Sequence, residues 1–70
     1  MKEYVQIIKG HYDNNGAVKA IDILNDKPLT RDYFKSRPDM KQRVEKAINT
    51  QTYLAAYQRG TRLGYKWITQ

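Results

Sequence analysis

Two prolines, Pro28 and Pro38, cut the stretch from Asn14 to Ile48 into short pieces, because proline breaks a helix interior and pushes the residue before it out of helical geometry. Before Pro28, Ala17, Val18, Ala20, Ile21 and Leu24 recur at the three-to-four-residue spacing of one helix face. That spacing predicts a short packed helix from Gly16 to about Leu24, with Asn14 or Asn15 as its cap. The segment NDKPL closes it as a polar turn. Thr30 is then a good N-cap for a helix running to Arg37, and Asp32 complements the positive end of its dipole. This helix crowds Arg31, Lys35 and Arg37 around Tyr33 and Phe34, so that the rings hold it down while the cations face a partner. A further helix starts near Ser36 or Arg37 with Pro38 in its first turn. It buries Met40, Val44, Ala47 and Ile48 and turns Lys41, Arg43, Glu45 and Lys46 outward.

A short helix, a turn, a basic aromatic helix and a supporting helix are the layout of a helix-turn-helix. The flanks are read to fit it. From Lys2 to Tyr12, the positions Tyr4, Val5, Ile7, Ile8, His11 and Tyr12 match a wide helical stripe. A strand ending in a DNNG hairpin turn is the competing reading, since YVQII is rich in strand formers. Past Ile48 the apolar period loses phase between Asn49 and Thr52. Either the helix bends there or a new one, capped by Thr50, carries Tyr53, Leu54, Ala56 and Tyr57 as far as Gly60. In the tail TRLGYKWITQ, Leu63, Tyr65 and Trp67 alternate with Arg62, Gly64 and Lys66, the period of an extended strand. Such a tail lies across the helices as a lid, joins a partner's sheet edge, or acts as a basic aromatic arm. The expected fold is therefore all-α: a small bundle of four to five short helices containing a helix-turn-helix over residues 1–60, with an extended C-terminal tail over 61–70.

Charge narrows the range of partners. The 70 residues carry a net charge of +6, unevenly spread. Up to Asp26, Lys2, Lys9 and Lys19 face Glu3, Asp13, Asp22 and Asp26, a net of −1; from Lys27 onward the net is +7. This asymmetry favours polyanions, nucleic acid first. A chain of this length makes one domain with a small core. Without cysteine it has no disulfide framework or thiolate metal site, which suits a reducing cytoplasm. No apolar run approaches the roughly 20 residues of a membrane span, and Glu3 and Lys9 interrupt what a signal peptide would keep apolar. No membrane partner is expected. His11, the single histidine, has no cysteine or carboxylate pattern around it and is read as a packing residue. With one serine, no convergent carboxylates and no phosphate-cradling glycine loop, neither catalysis nor a cofactor is expected.

The order NNGAVKAIDIL, turn, LTRDYFKSRPDMKQRVEKAI resembles the small helix-turn-helix domains of phage terminase small subunits and related phage and transposase DNA-binding proteins. In that family a G-N-V-x-x-A segment precedes a turn, a capped short helix with aromatic residues, and a D-P-E-F-like entry into a long helix. Gly16, Val18 and Ala20 or Ile21 match the first part, Thr30 to Phe34 the second, and Arg37, Pro38, Asp39 and Met40 the third. The match spans about half the chain, with a longer turn and a shorter second helix than the family pattern. The resemblance implies double-stranded DNA as partner, with the helix from Thr30 to Arg37 in the major groove. Arg31 would face a guanine edge, and Lys27, Lys35, Arg37 and Lys41 would contact phosphates. Thr30, Arg43, Lys46, Arg62 and Lys66 complete the expected DNA-contacting set, and a homodimer is expected because one short helix reads few bases. The function implied is a phage or mobile-element regulator, or a packaging or recombination accessory factor. The alternative is a phage-type module that docks on a host enzyme such as RNA polymerase through its six tyrosines and its tail.

Overall fold

In the computed structural model, which describes residues 3–69, the chain forms strands β1 (Tyr4–Tyr12), β2 (Val18–Asp22) and β3 (Lys27–Leu29), helices α1 (Arg31–Ser36) and α2 (Pro38–Asn49), and strands β4 (Thr52–Arg59) and β5 (Arg62–Thr69). Lys2, where the first helix was expected to begin, and Gln70, the last residue of the tail, lie outside the described residues. The strands make one antiparallel sheet in the order β3-β2-β1-β4-β5. The expected all-α bundle is thereby overturned. So is the helix-turn-helix: the segment assigned to its first helix is β2, and α1 abuts α2 at Arg37 with no intervening turn of the required length.

The reason lies in strands that are apolar on both sides. In β1, Ile8 and Gly10 are buried beneath α2, while Ile7 is half-buried on the opposite face beside Ala55. Side chains of a strand alternate between faces, so an interior strand with apolar side chains on both faces produces adjacent apolar pairs, which also satisfy a helical period. An irregularity between Tyr4 and Gln6 shifts the phase once more. Likewise β2 sends Val18 and Ala20 towards α2 and Lys19 and Ile21 to the other side. The DNNG segment forms the hairpin: the Asp13 carboxylate accepts from Asn15 N and Ala17 N, both at 2.9 Å, and Gly16 takes φ +78°. Pro28 sits in the edge strand β3 opposite Ile21. Ile21 turns its own backbone groups towards β1, as the flanking bonds Asp13 N to Ala17 O and Ile23 N to Ile7 O require, so the missing N–H of Pro28 costs the ladder nothing.

Both helices occupy the places their local signals mark. Thr30 Oγ1 accepts from Tyr33 N at 3.3 Å, and Pro38 opens α2, which buries Met40, Val44 and Ala47. After α2 there is neither a bend nor a new helix. Thr50 closes α2 by donating from N and Oγ1 to the Lys46 carbonyl, and Gln51 at φ +54° reverses the chain into β4. Tyr53, Leu54, Ala56 and Tyr57 therefore belong to a strand. β5 occupies the stretch whose alternation predicts an extended segment, but it pairs with β4 along its whole length rather than crossing the helices. The core of Ile8, Ala20, Met40, Val44, Ala47 and Leu54 sits between α2 and one sheet face. Gly10 sets how closely α2 approaches, because a Cβ there would stand 2.5 Å from Val44 Cγ1.

Candidate functional site

Among the described residues, no helix or second sheet lies over the face of the sheet turned away from α2. Register and alternation place Ile7, Lys9 and His11 of β1, Lys19 and Ile21 of β2, Tyr53, Ala55, Tyr57 and Arg59 of β4, and Arg62, Gly64, Lys66 and Ile68 of β5 on this side. The strands contribute five cations here and no carboxylate; Glu3 stands at one corner, 3.9 Å from Arg59. That ion pair is exposed and weak.

Tyr57 lies at the centre of the β4–β5 half. A Cβ on residue 64 would stand 2.6 Å from Tyr57 Cζ and 2.7 Å from its Oη. The ring can lie down across β5 only because Gly64, its cross-strand partner, has no side chain. Tyr4 meets it edge-on, with ring centroids 6.4 Å apart at 85°. The irregularity between Tyr4 and Gln6 brings Tyr4 to this face, and a relay of bonds fixes it. The Asn25 side-chain amide donates both to Val5 O and to the buried carboxylate of Asp22, each at 2.9 Å. Hollows flank the Tyr57 ring on both sides. One, of about 300 Å³, is bordered by Glu3, Tyr4, Arg59 and Lys66; the other, of about 270 Å³, by Arg59, Arg62, Leu63 and Gly64. Arg59 and Arg62 are direct cross-strand partners. Like charges so placed oppose each other until an anion arrives.

The residues expected to contact DNA are dispersed by the fold. Thr30 is spent on capping α1. The Arg37 guanidinium donates to Tyr65 Oη at 3.0 Å and to Asp39 at 3.3 Å, contacts that hold it firmly charged. Arg43 lies 4.6 Å from the Tyr65 ring centre and 3.7 Å from the same Asp39 carboxylate, and Lys46 Nζ lies 4.4 Å from the Trp67 ring centre. These three cations are engaged within the molecule. Lys27 on β3 and Lys35 on α1 are exposed, whereas Arg31 and Lys41 border a groove of about 220 Å³ with Val18, Lys19, Leu29 and Phe34. Only Arg62 and Lys66 of the expected set reach the open face. No protein family, characterised protein or solved structure matches this chain. Tyr4, Tyr57, Arg59, Lys9 and Lys19 were missed as candidates. The alternation in RLGYKWI was the one available signal, since it places Arg62, Gly64 and Lys66 together.

No helix among the described residues is long and apolar enough to cross a membrane.

Proposed function

We propose that the open sheet face binds single-stranded nucleic acid. The observation that carries this reading is the Tyr57 ring, lying across Gly64 and bordered by Arg59, Arg62 and Lys66. A flat ring on a sheet stacks an unpaired base of any identity, and cations around it neutralise the adjoining phosphates. Tyr4 supplies an edge against which the stacked base is located, and Lys9 and Lys19 extend the positive face across β1 and β2. A duplex hides its base faces, so this geometry favours a single strand. The Arg59–Arg62 opposition is relieved by a bound phosphate, which makes binding and hairpin stability mutually reinforcing.

The test is fluorescence anisotropy with a short labelled single strand and with the matching duplex, over a series of salt concentrations. Single-strand affinity is expected to fall linearly in log salt, with a slope of about −2 if three phosphates are neutralised at about −0.7 each. Tyr57→Ala should weaken binding by about 1–3 kcal/mol, roughly 5- to 150-fold, while Tyr57→Phe retains it. Gly64→Ala should weaken it as well, because the new Cβ lifts the ring off the strand. Equal affinity for duplex and single strand, combined with indifference to Tyr57→Ala, would sink the proposal.

A further inference from the structure

β5 is an outermost strand of the sheet, and its far edge is unpaired among the described residues. Two large apolar side chains on it are exposed, Leu63 at 47% and Trp67 at 39%. Both point to the α2 side, where Tyr65 lies between them. From the hydrogen-bonding phase, the arrangement of side chains and the charges along this edge, we propose that β5 pairs antiparallel with β5 of a second copy of this chain, with the twofold axis at Tyr65.

The phase follows from the hairpin. β4 and β5 are joined by Gly60 and Thr61 alone, with Gly60 at φ +59°, so the closing pair Arg59 and Arg62 exchanges both backbone bonds. Counting on by twos, residues 62, 64, 66 and 68 turn their backbone groups towards β4, while Leu63, Tyr65, Trp67 and Thr69 turn theirs to the free edge. A second β5 must match outward residue with outward residue about a twofold axis.

Charge then selects among the allowed positions. With the axis at Gly64, Arg62 stands opposite the partner subunit's Lys66. With the axis at Lys66, that residue stands opposite the partner subunit's Lys66. Like charges directly opposite are unfavourable. Axes at Leu63 or Trp67 leave the other of the two exposed apolar side chains unpaired. The axis at Tyr65 avoids both penalties: Leu63 meets the partner subunit's Trp67, Arg62 meets the partner subunit's Ile68, and Gly64 meets the partner subunit's Lys66. Arg62 and Lys66 thus act as edge guards that forbid slipped pairings while admitting one. The product is a continuous ten-stranded sheet with both open faces on the same side. Where the nucleic-acid reading holds, each Tyr57 ring gains the partner subunit's Lys66 beside Gly64.

Sedimentation of the full chain without nucleic acid, over a concentration series, tests the pairing independently of that reading. The expected result is a species of twice the monomer mass. A monomer throughout overturns the proposal. Leu63→Pro removes an outward N–H without touching the β4 ladder; a variant that keeps its native circular dichroism and sediments as a monomer supports the pairing, and one that stays dimeric overturns it. Two cysteine variants decide the register in a chain that otherwise has none. Under mild oxidation Tyr65→Cys should form a disulfide-linked dimer, because a hydrogen-bonded pair at the axis has Cα atoms about 5.5 Å apart, within disulfide reach. Lys66→Cys should not, its counterpart being displaced by two residues. Crosslinking through Lys66→Cys, or through both variants equally, overturns the assigned axis.

Discussion

The two faces of this sheet both carry cations and differ in what those cations do. On the α2 side, Arg37, Arg43 and Lys46 are tied to Tyr65, Trp67 and Asp39, where they cover rings at the sheet's edge. On the open side, Arg62, Lys66, Lys9 and Lys19 form no salt bridge among the described residues, and the half-buried Tyr4 and Tyr57 rings pack on each other and on Gly64 rather than on a cation. A count of positive charge along the chain points to everything from Lys27 onward, but the count cannot tell an engaged cation from an available one. Availability is decided by what lies across the fold.

The largest test of this contrast is a core truncation. Leu54→Ala removes a fully buried side chain between the sheet and α2 and should cost about 2–5 kcal/mol, read from chemical or thermal unfolding. In a domain of this size that is a large share of total stability. By comparison, Tyr57→Ala on the open face should cost far less stability than binding. A second comparison reverses charges on either side. Arg62→Glu with Lys66→Glu should remove single-strand binding at physiological salt. Lys35→Glu with Lys41→Glu changes net charge equally on the helix layer and should weaken binding only modestly, through the long-range field. Equal losses in the two variants would erase the distinction between faces. The smallest effect concerns the first hairpin. Backbone amides, Ala17 foremost, hold the Asp13 carboxyl below its usual range. A depressed pKa adds stability that is present above the unfolded-state value of about 3.9 and is lost as pH falls through the folded-state value. Asp13→Asn should therefore flatten the acid limb of the melting-temperature profile and leave Asp39, lowered chiefly by its bond from Arg37, to account for part of what remains.

What was legible in the chain was whatever is decided locally. Thr30 capping α1, Pro38 opening α2 and the stripe of Met40, Val44 and Ala47 depend on neighbours within a turn or two, and each stands where its signal lies. The DNNG turn was visible as well, though a helical reading of β1 outweighed it. Strands β1, β2 and β4 were misread because they carry apolar side chains on both faces, and a short run of that kind carries no period of its own. The site was harder still. Tyr57 lies across β5 because Gly64 is its cross-strand partner, and Tyr4 reaches it through a phase shift anchored by Asn25 and Asp22. Each of these relations joins residues that only strand pairing brings together.

The seam between β1 and β4 bears on how the molecule assembles. β1–β2 and β4–β5 are hairpins between sequence neighbours, whereas Ile8 meets Leu54 across most of the chain. Local hairpins close within microseconds, but a distant pairing must first overcome the entropy of a large loop. The rate of folding should accordingly be governed by the Ile8–Leu54 seam, with α2 as the brace that holds the two hairpins within reach until it zips.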